Sequence, residues 1–131
     1  MQLLIDTQVF LWFVAGSSEL KESARWFVED ESNGTYLSVA SLWEISIKTA
    51  LGKLDIAGGY ETVIGDIVEN NIEILNINFA HTVEQYKLDF HHKDPFDRMI
   101  AAQAIVEQMN LLSSDNIFDS YFAEKAVKRI W

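Results

Sequence analysis

Leu3-Leu4-Ile5-Asp6-Thr7-Gln8-Val9-Phe10-Leu11-Trp12-Phe13-Val14-Ala15-Gly16 sets an apolar run, an acid and a second apolar stretch in succession, stopped by glycine. The run Leu3 to Ile5 is too short for a helix and shows no polar alternation, the pattern of a strand buried on both faces. The stretch from Val9 to Val14, continuing to Gly16, is long enough for a helix. A buried strand feeding directly into a helix is the repeating unit of an α/β fold.

The unit recurs along the chain. Ser18 is positioned to cap a helix from Leu20 to about Asp30, with Leu20, Ala24, Phe27 and Val28 at helical spacing and Asn33-Gly34 closing it. The β-branched and aromatic segment Thr35 to Val39 predicts a strand, followed by a helix from Ala40 to Leu51 that Gly52 stops. Gly58-Gly59 marks a loop before a helix from Tyr60 to Glu69, a strand from Ile72 to Ile77 and a helix from Phe79 to Leu88. Asp94-Pro95 opens another helix, whose apolar positions Met99, Ile100, Ala102, Ile105, Val106 and Met109 run on to Asn110. Leu111 to Ser113 predicts a short strand, and Val127 to Trp131 a last one. The expectation is a single domain over residues 1–131, with a mostly parallel central sheet and helices on both faces.

Composition narrows the chemistry. With 49% hydrophobic and 23% charged residues, the 131-residue chain has the balance of a globular protein able to bury one sizeable core. The absence of cysteine excludes a disulfide framework, a thiolate metal site and cysteine nucleophilic catalysis. No basic n-region precedes the first apolar run and no run is long enough to span a bilayer, so the expected location is cytoplasmic, with no membrane partner. The net charge of −10 opposes simple phosphate binding, which draws on Lys and Arg. Bound divalent cations would offset part of it, and Lys48, Lys53, Lys93 and Arg98 lie close in sequence to the acids considered next.

Asp6 and Asp115 each follow a predicted strand, Glu44 lies in the first turn or so of the helix after the second strand, and Asp97 lies in the first turn of the helix opened by Asp94-Pro95. In an open α/β sheet all four positions face the rim at the carboxyl ends of the strands. Taken singly, each acid has a structural explanation as a helix cap or a partner of the helix dipole. Asp94 fits that explanation best, as the cap before a proline with Asp97 in the place of a capping-box acid. Convergence changes the balance: carboxylates about 4 Å apart repel by roughly 4 kcal/mol per pair at an effective dielectric near 20, so the cluster needs protons or metal. Mg²⁺ and Mn²⁺ take hard oxygen ligands and promote phosphoryl chemistry, which points to metal-assisted phosphodiester hydrolysis. Two other classes stay open. One is a catalytically silent cation-binding or interaction module. The other is an aspartyl-phosphate hydrolase with Asp6 as nucleophile, although Gln8 stands where such an enzyme wants a second acid.

The remaining polar residues are ambiguous. Adjacent His91 and His92 point apart on regular structure and lack zinc-ligand spacing, so His91 is kept only as a candidate phosphate contact. Lys48, one turn after Glu44, suits an i,i+4 ion pair or a phosphate clamp, and Arg98 suits a solvated charge or a substrate contact. Thr7 and Ser113, beside the strand-end acids, complete the candidate phosphate or substrate contacts. Trp12, Phe13, Trp26, Phe27 and Trp43 are expected mostly in the core.

These segments resemble the PIN domain family, and in particular the VapC-like ribonuclease toxins of type II toxin–antitoxin systems. The resemblance runs through Leu4-Ile5-Asp6-Thr7 with Leu11-Trp12, through Ser38 to Lys48 with Leu51 to Leu54, and through the long tract His91 to Ala104. Ser113-Ser114-Asp115 with Phe118 and Tyr121 completes it. It implies a PIN-like three-layer sandwich in which Asp6, Glu44, Asp97 and Asp115 hold Mg²⁺ or Mn²⁺ and cleave RNA. It also implies a homodimer and a cognate antitoxin that inhibits the site. Two departures are visible: Ser113 stands for the more frequent threonine, and Tyr121 to Ala126 exceeds the usual turn before the final strand, leaving the pairing of Val127 to Trp131 open.

Overall fold

The computed structural model describes residues 1–131. In chain order its elements are β1 (Gln2–Ile5), α1 (Thr7–Ala15), α2 (Glu22–Glu29), β2 (Gly34–Ser38) and α3 (Val39–Ala50). A 3₁₀ turn at Tyr60–Thr62 then leads into α4 (Val63–Glu69), followed by β3 (Ile72–Leu75), α5 (Phe79–Lys87), α6 (Pro95–Glu107), β4 (Asn110–Leu112), α7 (Phe118–Phe122) and β5 (Arg129–Ile130). The five strands form one parallel sheet in the order β3-β2-β1-β4-β5. The last strand, whose pairing the sequence left open, adds to β4 through Leu111↔Arg129 and Leu112↔Ile130.

Why the central strands carry no polar alternation is clear from their surroundings. Leu3, Leu4, Ile5, Leu37, Leu111 and Leu112 are fully buried, and alternate residues face opposite layers. Leu3, Ile5, Leu37 and Leu112 pack with Val9, Phe10 and Phe13 of α1, Ala24 and Val28 of α2 and Val63 and Ile67 of α4. Leu4 and Leu111 face the other way, against Ile100, Ala101 and Ala104 of α6 and Phe118, Tyr121 and Phe122 of α7. The architecture is therefore the expected three-layer α/β sandwich. Burying each of these side chains contributes about 1.5–3 kcal/mol, so the apolar runs supply most of the driving force for docking both helical layers.

Several local expectations shift. Ser18 does not cap α2; Ser17 instead closes a local turn by accepting the Glu19 amide at 3.1 Å, and the helix starts only at Glu22 after Lys21. The helix opened by Pro95 ends at Glu107 with Gln108 in the left-handed region at φ 55°, because Asn110 is drawn into the sheet opposite Leu3. The longer segment after Phe118 begins as the short helix α7, whose Phe118, Tyr121 and Phe122 are buried. Trp26 and Trp43, expected in the core, are 58% and 60% exposed, against Phe27 and Phe96 respectively.

Arg98 is the largest correction. Expected as a surface charge or substrate contact, it is buried, donating from its guanidinium to the carbonyls of Gln85 (3.0 Å), Leu88 (3.1 Å) and Asp89 (2.8 Å). Its guanidinium carbon lies 4.0 Å from the centre of the Phe90 ring. The last carbonyls of a helix lack intrahelical partners, and a cation at that end is favoured by the dipole, so Arg98 acts as a cap for α5. Arg98→Ala should lower stability by about 3 kcal/mol in urea unfolding, because it removes three charge-assisted hydrogen bonds together with the packing of a buried side chain. Arg98→Lys should restore less than half of that, since an ammonium cannot reproduce the planar fork. Wild-type stability in either variant would contradict this role.

Candidate metal centre

The sheet order changes direction around β1: the chain leaves β1 toward β2 and β3, whereas β4 and β5 lie on its other side. In open parallel sheets this switch point leaves a crevice beyond the carboxyl ends of the two strands. Asp6 follows β1 and Asp115 follows β4 by three residues, so both stand at that crevice. Together with Glu44, Asp94 and Asp97 they line a cleft of ≈ 610 Å³ that also presents Lys48, Lys53, Thr7, Gln8 and Ser114.

Asp6 is fixed at both carboxylate oxygens. Oδ1 caps α1 by accepting the Val9 amide at 2.8 Å, and Oδ2 accepts the Ser113 hydroxyl at 2.5 Å. Burial pushes its pKa up to about 6, the two hydrogen bonds pull the other way, and Asp115 and Glu44 add repulsion. Ser113 also accepts the Asp115 amide at 3.0 Å, which couples the acid after β1 to the acid after β4. A hydroxyl is what this position requires. Thr7, also buried, donates to the Ser41 hydroxyl at 2.9 Å and lines the cleft.

Glu44 sits in the second turn of α3 rather than the first, because Ser38 caps the helix at the Ala40 amide and helical geometry starts at Val39. Its Oε2 pairs with the Lys48 ammonium at 2.7 Å, which raises the Lys48 pKa, so the i,i+4 reading of Lys48 is realised at the cleft wall. Glu44 Oε1 is buried with no hydrogen-bond partner. Asp97 stands at the start of α6, where Asp94 Oδ1 accepts the amides of Phe96 (2.8 Å) and Asp97 (3.2 Å), as expected of a cap. Burial drives the Asp97 pKa up to about 7, with added repulsion from Asp94, Asp6, Glu44 and Asp115.

His91, the candidate phosphate contact, does not join the acids. His91 lies against Tyr121, ring centres 5.2 Å apart, in a separate hollow with Lys87, Ser120 and Lys125, away from the acids. His92 instead reaches the cluster, with Nε2 3.0 Å from Asp97 Oδ2 and 3.7 Å from Asp115 Oδ2.

The donor set suits a hard divalent cation. It offers carboxylate oxygens, Glu44 Oε1 has no other partner, and Asp6 and Asp97 are held against ionisation by burial and by neighbouring acids. Zinc fits less well, because the cleft offers a single imidazole and no thiolate. The arrangement also disfavours Asp6 as a nucleophile, since Gln8 stands in the cleft where a second acid is wanted.

In metal-free protein the two raised acids give a signed pH dependence. Both keep protons in the folded state that the unfolded chain releases near pH 3.8, so the stability they contribute is present at low pH and lost as pH rises through about 6 and about 7. Urea unfolding in EDTA should therefore show a falling midpoint from about pH 5 to about pH 8. Asp97→Asn should be more stable than wild type by about 2 kcal/mol near pH 8, after allowance for screening, and should converge with it near pH 4. Saturating Mg²⁺ or Mn²⁺ should remove the advantage of Asp97→Asn. A wild-type midpoint that climbs over this range would refute the assignment.

The chain matches the family model of the PIN domain over residues 3–123. No curated protein matches it. Among solved structures, a chain of VapBC2 from Rickettsia felis, determined bound to a DNA fragment from its promoter, matches at a TM-score of 0.71 and 16% identity, covering 100% of this chain and 99% of that one. VapBC-1 from nontypeable Haemophilus influenzae matches at 0.68 and 15% identity, covering 99% and 97% of the two chains. VapBC-5 from Mycobacterium tuberculosis, a member of the VapBC family of toxin–antitoxin systems, matches at 0.68 and 17% identity, covering 98% and 97%. At these identities the likeness is one of fold, and it agrees with the strand order and helical layers described above. The family model itself spans almost all of the sequence, and the chain belongs to the PIN domain family.

Proposed function

We propose that this protein is a divalent-metal-dependent endoribonuclease of the VapC type, the toxin of a type II toxin–antitoxin pair. The observation that carries the reading is the buried, unpartnered Oε1 of Glu44 in a cleft whose other acids, Asp6, Asp97 and Asp115, come from strand ends and a helix start. These four side chains would hold Mg²⁺ or Mn²⁺, which when bound supplies Lewis-acid polarisation and an ionised water for phosphodiester hydrolysis. Ser113 and the Val9 amide keep Asp6 aimed at the cleft, so little reorganisation is needed on loading. Lys48 neutralises one oxygen of Glu44 while its ammonium stays half exposed, free to meet a phosphate alongside Lys53. Purified protein should cut RNA in Mg²⁺ or Mn²⁺ and stop in EDTA; equal cleavage in EDTA, with contamination excluded, sinks the proposal. Asp97→Asn should reduce cleavage by at least about a hundredfold. Asp94→Asn should stay within a few fold, because asparagine caps helices as well as aspartate does.

The partner follows from charge and shape. A groove of ≈ 710 Å³ lined by Leu11, Trp12, Val14, Leu54 and Ile56 continues from the acidic cleft through the shared residues Gln8, Leu11 and Leu54. With a net charge of −10 on the chain, the fitting occupant is a basic, amphipathic segment of a cognate antitoxin, its apolar side chains along α1 and an arginine in the cleft. Arginine would supply there the charge the metal otherwise supplies, which accounts for inhibition without a conformational change. A homodimer belongs to the same reading, and Phe79 and Tyr86, on one face of α5 and each more than four-fifths exposed, offer a second copy an apolar surface. Binding of the cognate segment should weaken at least about tenfold on Arg→Ala substitution and should compete with Mg²⁺. Binding indifferent to both arginine and metal would show that the antitoxin acts elsewhere.

A further inference from the structure

The turn that leads from β4 to Asp115 is held from behind by the last strand. Ser113, fully buried, directly follows β4, and its amide donates to the Ile130 carbonyl at 3.1 Å, so the ladder between β4 and β5 reaches one residue past the strand. The Ser113 carbonyl accepts from Nη1 of Arg129 at 3.1 Å and from no other protein group. The guanidinium that makes this bond is itself fixed in orientation. Its Nε and Nη2 donate to Oδ1 and Oδ2 of Asp119 on α7, each at 3.0 Å, a bidentate fork that sets the plane of the group as well as its place. Neither Arg129 nor Asp119 lines the acidic cleft. What they hold is the residue that joins the two strand-end acids, for the Ser113 hydroxyl donates to Asp6 Oδ2 and accepts the Asp115 amide.

Resting on the metal-dependent reading above, we propose that Arg129 is a positioning residue: by holding the Ser113 carbonyl it keeps Asp6 and Asp115 in the mutual placement a divalent cation uses, with Asp119 aiming Arg129 in turn. The route is geometric. The Ser113 carbonyl and the Ser114 amide share one planar peptide unit, so fixing the carbonyl fixes the direction in which the chain leaves the sheet toward Asp115. Held at its amide by Ile130 and at its carbonyl by Arg129, the Ser113 main chain presents its hydroxyl to both acids at once. The pairing of β5 does not depend on the side chain, because Leu111↔Arg129 and Leu112↔Ile130 are joined through main-chain groups. Asp119 is more than half exposed, and an ion pair with so exposed a partner adds little to stability. The fork therefore acts chiefly on Ser113. Groups that bind metals are commonly oriented by outer hydrogen bonds, and losing such a partner typically weakens metal affinity by about 10- to 100-fold.

The test is calorimetric titration of Mg²⁺ and, separately, Mn²⁺ into wild type, Arg129→Ala, Arg129→Lys, Asp119→Asn, Ser113→Ala and the double variant Arg129→Ala with Ser113→Ala, with a thermal melt of each confirming the fold. Arg129→Ala should weaken both cations by about tenfold. Arg129→Lys should recover only part of that loss, since a single ammonium cannot reproduce the fork that meets Ser113 and Asp119 together. Asp119→Asn leaves the guanidinium in place and loosens its aim, so it should weaken both cations by a smaller factor; its exposed position keeps the test valid if the alanine variant folds poorly. Ser113→Ala should weaken both cations at least as much as Arg129→Ala, and the double variant little more than Ser113→Ala alone, because one residue acts through the other. A side chain that only stabilised the fold would lower the melting temperature and leave the affinity of the folded protein unchanged. Wild-type affinity in Arg129→Ala, or in Asp119→Asn where the alanine variant does not fold, overturns this inference alone. Losses that add in full in the double variant overturn the route through Ser113. Failure of the wild type to bind either cation overturns the metal-dependent reading and this inference with it.

Discussion

Repulsion among carboxylates in a poorly hydrated crevice is the constraint around which the molecule is arranged. Asp6, Glu44, Asp94, Asp97 and Asp115 share one cleft with only Lys48 and Lys53 among cations. Burial holds Asp6 and Asp97 against ionisation and the neighbouring acids add repulsion, in a domain whose size class is stable by only about 5–15 kcal/mol in total. The folded chain lowers that cost with specific partners. Ser113 and the Val9 amide serve Asp6, and Lys48 serves one oxygen of Glu44. What they leave unmet, Glu44 Oε1 and the raised pKa values of Asp6 and Asp97, marks where positive charge is missing.

Such a cluster needs a rigid support, and the parallel sheet provides it. β1 is hydrogen-bonded on both sides and buried on both faces, so the position of Asp6 is set by β2, β4 and two helical layers together. The ladder continues to the edge of the site, where the Asp6 amide donates to the Leu112 carbonyl at 3.2 Å. Glu44 and Asp97 come instead from helices, each started by a capping side chain, Ser38 and Asp94, that leaves little freedom in where the first turn begins. The acids are thus placed by backbone hydrogen bonding, and their side chains need few rotamer choices of their own.

This division explains what the sequence discloses. Leu3 to Ile5 and Leu111 to Leu112 announce buried strands because burial on both faces removes polar alternation, and an acid just beyond such a run falls on the rim whatever the details of packing. The same logic makes Asp94 legible as a cap, since proline follows it. Arg98 and His92 are not legible, because their partners are main-chain groups and a distant tyrosine hydroxyl that leave no pattern near them in sequence. Charged residues are almost never buried unless paired, so a surface position was the default for Arg98. The carbonyls that pair it belong to Gln85, Leu88 and Asp89, and main-chain acceptors are the same whatever the side chain. The short α7 is obscured for a related reason. It is held by burial of Phe118, Tyr121 and Phe122 rather than by a capping residue.

The acidity that runs against nucleic-acid chemistry then has a physical place. A strongly basic chain would bind polyanions everywhere on its surface, through release of their counterions, without the cleft being occupied. With net charge −10 and two lysines at the cleft, the long-range field of this chain repels RNA, and attraction has to be created locally. In the proposed reading a bound cation does this at the acids, so binding and chemistry are switched on by the same event. The groove beside the cleft turns the same field to a second use. An apolar surface along α1 that leads into a cluster of unmet carboxylates repels acidic chains and favours a basic one. Cation and arginine would thus compete for one deficit of positive charge, the deficit that the sheet, the caps and the buried Glu44 maintain.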